Sequence, residues 1–225
     1  MNWTDQMDGY CERTDLTFWS EPLNAVTNLS FILFALIMWR RSGGLMPARI
    51  LCVILFAIGV GSFLFHTFAT AWAALADVAP IGLFILFYLF LVHRDFLGWP
   101  LWGALLGTMA FFPFAAVMVP FFDSLPFFHI SNFYWTVPLL LVLYAPFVGR
   151  VRHETAQGML LGALILTLSI SLRSFDELIC DEFPTGTHIF WHLLNGVMLG
   201  WMIEVYRRHM AWAGGERLAG ESGQG

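Results

Sequence analysis

Seven stretches of about twenty mostly apolar residues take up nearly the whole of this 225-residue chain. A run of that length is what one α-helix needs to cross the hydrocarbon layer of a bilayer. The stretches lie at roughly 23–40, 47–68, 72–92, 99–119, 132–148, 155–172 and 186–206, leaving no room for a soluble domain. Only 12% of the residues are charged, about half the share in soluble domains. The runs are also continuous, where the strands of a membrane β-barrel would alternate over ~10 residues. The expected fold is therefore an all-α, integral-membrane bundle of seven transmembrane helices over 23–208. An outer segment, 1–22, precedes it, and a Gly-rich, polar tail, 209–225, is expected to be disordered. No internal repeat stands out.

All eleven basic residues are arginine, and arginine keeps to cytoplasmic connections. Arg40, Arg41 and Arg49 flank the first connection, Arg94 the third, and Arg150 and Arg152 the fifth, while Arg207, Arg208 and Arg217 follow the last helix. Only Arg13 and Arg173 fall on the other side. This pattern predicts an outer N-terminus and a cytoplasmic C-terminus. Residues 1–22 carry five acids and no basic region ahead of an apolar core, so no cleavable signal peptide is expected. Nothing in the charge distribution suggests nucleic acid as a partner. The absence of lysine hints at a GC-rich bacterium and its inner membrane, with the site facing the periplasm; a Golgi or endoplasmic reticulum membrane is the eukaryotic counterpart.

Cys11 and Cys180 both fall on the expected outer side, where disulfides persist. They are expected to pair, although two cysteines on one side are also compatible with two free thiols. Cys52 falls inside the second helix and reads as packing.

Polar side chains at membrane depth are costly and mark function. Ser62 and His66 share one face of the second helix at i, i+4, and His188 and His192 repeat that spacing at the start of the last helix. His66 and Asp77 lie equally far from the tip of the second hairpin, about 8 Å below it at 1.5 Å per residue. If the seventh helix packs beside the second and third, all five groups converge. Three imidazoles with an open fourth position suit catalytic zinc. Asp77 would then be a general base or an orienting acceptor, and Ser62 a donor to a developing oxyanion. Haem ligation, a proton path or helix–helix hydrogen bonding remain alternatives. His93, His129, His153 and His209 read as interfacial. Asn24 and Asn28 read as an interhelical hydrogen-bonding pair, and Arg173 with Asp176 as a local i, i+3 ion pair. Asp8, Glu12, Asp15 and Glu21 offer carboxylate oxygens, supplemented by the Tyr10 carbonyl, of the kind calcium takes. Composition alone favours a solvated acidic tail, except at Glu21, which borders the first apolar run.

Taken together, E-P-L-N-A-V-T-N, S-F-L-F-H, an aspartate eleven residues later, F-D-E-L-I-C and T-H-I-F-W-H resemble the alkaline ceramidases. These belong to a wider superfamily of seven-helix membrane hydrolases that includes adiponectin-receptor-like proteins. The resemblance implies zinc on His66, His188 and His192, catalytic roles for Asp77 and Ser62, and a cystine between Cys11 and Cys180. It also implies a calcium site drawn from Asp8, Tyr10, Glu12, Asp15 and Glu21, with Glu21 the best match. The expected activity is hydrolysis of the N-acyl amide of ceramide or a related membrane lipid to a long-chain base and a fatty acid. The rivals are a lipid-sensing receptor with structural zinc and a hydrolase of another lipid ester or N-acyl amine.

Overall fold

The computed structural model describes residues 2–7 and 9–222, with side chains through residue 215 in the last helix. Among the described residues there are nine α-helices. The first span comprises α1 (Pro22–Thr27) and α2 (Leu29–Arg41), followed by α3 (Met46–Phe68) and α4 (Ala71–Leu91), which runs into a π-turn at Val92–Phe96. Then come α5 (Leu101–Met109), α6 (Phe111–Asp123), α7 (Asn132–Gly149), α8 (His153–Phe175) and α9 (His188–Ser222). No strand is present among the described residues, only an isolated bridge between Gln6 and Thr70.

Among the described residues, six helical segments are long and apolar enough to cross a membrane: Pro22–Arg41, Met46–Phe68, Ala71–Phe96, Leu101–Asp123, Phe128–Gly149 and His153–Leu178. The seventh expected span coincides with the first part of α9, whose apolar character is diluted by His188, His192, Asn195 and Glu204. The sequence reading ends this helix near 208, whereas α9 continues as helix through Ser222. Residues 223–225 of the expected tail lie outside the described residues.

The core runs along the helix axes through Leu51, Leu55, Ile58, Met159, Ile170, Ile203 and Tyr206, all fully buried. Large apolar side chains such as Leu106, Val117 and Leu164 point outward, as lipid-facing positions do.

The α3–α4 hairpin is the frame of the site. Ala69 adopts a left-handed conformation (φ 45°) and ends α3, and α4 starts two residues on. Lower in the hairpin the two backbones nearly touch: a Cβ added to Gly61 would collide with the carbonyl oxygen of Ala76 and lie 3.1 Å from the amide nitrogen of Asp77. The sequence explains the meeting, because Pro80 sits inside α4 and has no N–H for the Ala76 carbonyl four residues earlier. Glycine on one helix and a freed carbonyl on the other bring Ser62 and Asp77 side by side.

The outer segment docks on the tip of that hairpin. Met7 N–H donates to Ala69 O (2.8 Å), Ala71 N–H to Asp5 O (3.0 Å) and Trp72 N–H to Trp3 O (3.1 Å). A disulfide joins Cys11 to Cys180, with Cα atoms 5.2 Å apart, tying the segment to the loop before α9.

Candidate metal centre

His66, near the end of α3, and His188 and His192, on the first two turns of α9, come together with their ligand atoms all within 4.8 Å of one another. Each is almost wholly buried. The adjacency that spacing alone left open is present in part: α9 packs along α2 and α8 and meets α1 and α3, whereas α4 is not among its main neighbours.

One nitrogen of each ring is partnerless: His66 Nε2, His188 Nδ1 and His192 Nε2 are buried without a hydrogen bond. Three orphaned nitrogens converging on one point would be costly, so their lone pairs call for a shared electrophile. Their surroundings set the tautomers. His66 Nδ1 lies 2.6 Å from Glu21 Oε2; the carboxylate is acceptor-only, so Nδ1 carries the proton and Nε2 is free. His192 Nδ1 lies 2.8 Å from the Thr27 hydroxyl, which itself donates to Leu23 O at 2.8 Å. The hydroxyl therefore accepts from Nδ1–H, and His192 Nε2 is free as well. Outer partners of this kind orient metal-bound histidines, and the donor set fits zinc.

His188 is held differently. Its backbone N–H and that of Thr187 donate to Asp176 Oδ1 at 2.7 and 2.5 Å, and Cys11 N–H donates to Oδ2 at 3.0 Å. Asp176 thereby caps α9. Gly186 just before it has φ +64°, and a Cβ there would strike the Asp176 carboxylate. The His188 ring stacks on Tyr10, centroids 3.7 Å apart.

The expected Arg173–Asp176 ion pair does not form. Arg173 turns the other way, donating to Ser131 Oγ (2.8 Å) and Tyr10 Oη (3.3 Å), with its guanidinium over Tyr10, Tyr134 and Trp191 at 5.3–5.8 Å. Asp176 gains more by capping the otherwise open N–H groups of α9 than by an i, i+3 pair of small value. Arg173 and Asp176 are the residues of the site whose roles spacing misread; the signal was that both sit at the mouth of an apolar helix.

Ser62 is buried and neighbours the Asp77 carboxyl, which also faces His66 and lies within electrostatic reach of Arg173. One helical turn further in from Ser62, Asp77 and His192 come Ile58, Ile81 and Asn195. All three line an apolar cleft, with a cavity volume of about 90 Å³, that continues past Phe84 and Leu141 to Tyr88 and Tyr144. The amide nitrogen of Asn195 is buried there without a partner.

Asn24 and Asn28 bond locally and not across helices: Asn28 Nδ2 donates to Asn24 O (2.9 Å), and Asn24 Nδ2 to Glu21 Oε2 (3.1 Å). His129 and His153 are exposed, as expected of helix ends. His93 and His209 are instead buried: His93 Nε2 pairs with Tyr144 Oη at 2.7 Å and His209 Nδ1 with Thr155 Oγ1 at 2.9 Å.

Of the residues assigned to calcium, Asp8 lies outside the described residues. Both Glu12 oxygens cap α1, accepting Leu23 N–H at 2.7 Å and Asn24 N–H at 2.8 Å; burial holds this carboxyl above the usual range, against those two bonds. Asp15 is exposed, and Thr17 donates to it from N–H and hydroxyl, which draws its carboxyl below the usual range. Glu21 Oε1 is held by Arg13 Nε at 2.5 Å. Burial alone would raise the Glu21 carboxyl, but hydrogen bonds from His66, Asn24 and Arg13 outweigh it and leave it below the usual range. Both oxygens of Glu12 and of Glu21 are thus engaged by donors, so these two acids do not fit a calcium ion, while Asp15 accepts through Oδ1 alone and stands exposed.

Helices long and apolar enough to cross a membrane, with three buried histidines at one end that could hold a metal ion and an apolar cleft beside them, place the chain in the class of multi-pass helical proteins with a potential metal site. The sequence profile of the Ceramidase family matches residues 8–216, and the chain belongs to that family. A search among curated proteins finds no match.

Proposed function

We propose that the protein is a zinc-dependent amidohydrolase that cleaves the N-acyl amide of ceramide or a closely related lipid within the membrane. Three orphaned ring nitrogens beside a serine–aspartate pair carry this reading. His66, His188 and His192 would hold zinc, which would supply Lewis acidity to the amide carbonyl and to the attacking water.

The chain's own groups do the rest. Asp77 takes the proton of the attacking water and delivers it to the departing amine as the C–N bond breaks. Ser62 donates a hydrogen bond to the carbonyl oxygen as charge develops there. Arg173, fixed by Ser131 and three aromatic rings, holds Tyr10 against His188. The cleft one turn further in accommodates an acyl chain, and the partnerless Asn195 amide offers it one hydrogen bond near the carbonyl.

The distribution of arginines favours a seven-span topology with the site near the outer face. In a bacterial cell that face is the periplasm.

The test is product analysis with purified protein and a panel of ceramides, other N-acyl amines and lipid esters. Release of a long-chain base from ceramide supports the reading. A zinc-loaded, folded protein that releases nothing from any of them is a receptor-type protein, and the reading fails.

A further inference from the structure

The outer segment holds a cation of its own. Arg13 is the sole basic residue among the acids of residues 1–22, and its side chain is buried. Each end of the guanidinium reaches a different part of the molecule. Nε donates to Glu21 Oε1 at the entry to the first span, Nη1 to Asp15 O within the outer segment (3.1 Å), and Nη2 to His66 O at the end of α3 (3.0 Å). One group thus ties together the three elements that meet above the histidines.

Calcium takes six to eight oxygens. Around Arg13 the oxygens of three candidates are engaged, Glu12 on two backbone amides, Glu21 Oε2 on His66 and Asn24, and the Tyr10 carbonyl on the Arg13 N–H (3.2 Å), and the exposed Asp15, which accepts through Oδ1, offers one carboxylate oxygen where six to eight are needed. Asn24 Oδ1 is buried and without a donor, but it is a single neutral acceptor. A divalent ion on Glu21 would have to sit against a guanidinium already in contact with the same carboxylate.

We propose that in this chain Arg13, and not a calcium ion, orders the outer segment against the histidines. It neutralises Glu21 in its buried position and keeps Oε2 against Nδ1 of His66. It is a positioning residue: it touches neither substrate nor metal, and acts on the His66 ring through Glu21 and on the His66 backbone through its carbonyl. The inference concerns calcium and the outer segment; only its second arm rests on the reading of the histidines as a zinc site.

The first arm uses the wild-type protein, passed over a chelating resin and repleted with zinc alone, and compares its Tm with and without added calcium chloride. The expected result is the same Tm in both. A calcium-dependent rise in Tm overturns the proposal, and this readout needs neither turnover nor a zinc site. The second arm measures zinc affinity by competition with a chromophoric chelator in Arg13→Gln and Arg13→Lys. The glutamine variant is expected to bind zinc at least ~10-fold more weakly, the loss typical when an outer partner of a metal ligand is removed; lysine restores part of it. Wild-type affinity in Arg13→Gln removes the positioning role. Should that variant fail to fold, the calcium comparison still decides. If the wild-type protein binds no zinc yet its Tm ignores calcium, the functional reading fails and this one stands.

Discussion

Glu21 Oε2 lies 2.6 Å from Nδ1 of His66, a residue 45 positions further along the chain. The contact turns a carboxylate at the membrane boundary into the group that fixes a ring's orientation and tautomer. Glu21→Gln is expected to weaken zinc binding by ~10- to 100-fold. Thr27→Val, which removes the corresponding partner of His192, is expected to do the same to a smaller extent. Competition titration of zinc against a chelator measures both, and unchanged affinity in Glu21→Gln would contradict the assigned role.

Asp77 faces His66 across the α3–α4 hairpin without joining the three converging nitrogens. Asp77→Asn is therefore expected to retain zinc while ceramide turnover drops by ~10²- to 10⁴-fold, the range for loss of a general base. Zinc content and turnover measured on one preparation separate the two effects. Full turnover would remove Asp77 from the chemistry.

Gly61 meets the Ala76 carbonyl where no side-chain carbon fits. Gly61→Ala should force α3 and α4 apart at a cost of roughly 1–3 kcal/mol, seen as a lower Tm in detergent. Ser62 and Asp77 flank this contact, so turnover should fall in the same variant; a variant as stable and active as wild type would show that the hairpin tolerates separation there.

The Cys11–Cys180 bridge closes a loop of 169 positions. Unreduced, denatured protein should show one reactive thiol, from Cys52. Cys11→Ser with Cys180→Ser should lose on the order of 3 kcal/mol, read as a drop in Tm. Three reactive thiols in the wild type would refute the pairing.

Ile81 lines the cleft one turn in from Asp77. Ile81→Trp should fill it and discriminate against long acyl chains. Each methylene kept out of an apolar pocket forfeits about 0.8 kcal/mol, so excluding three lowers kcat/KM for a long-chain substrate by more than ~10-fold relative to a short-chain one. An unaltered chain-length profile would mean that the acyl chain lies elsewhere.

Much of this was legible in the sequence, for identifiable reasons. Continuous apolar runs mark helices of membrane length because backbone polar groups in lipid must be satisfied internally. The i, i+4 spacing put Ser62 under His66 and aligned His188 with His192, since both pairs lie along one helix. Spacing does not say which helices pack together, so the approach of α9 to α3 and the hold of Thr27 on His192 emerged only in three dimensions. Arg173 shows the limit most plainly. Sequence proximity identified Asp176 as an available partner, but not the better ones that each residue finds: three backbone N–H groups for the acid, and a hydroxyl with three aromatic rings for the base. Arg13 and Arg173 look like exceptions to the inward bias of basic residues when counted along the chain. In the fold Arg13 is buried and Arg173 half-buried beside the histidines, so their charge serves the site and says nothing about topology.

The cleft among the spans also sets what concentration means for this protein. Under the proposed function, a lipid that reaches Ile81 and Asn195 with its chain already in hydrocarbon arrives by lateral diffusion in two dimensions. Half-saturation then scales with the mole fraction of lipid in the bilayer, and diluting substrate with inert phospholipid at constant bulk content slows the protein as surely as withdrawing substrate does.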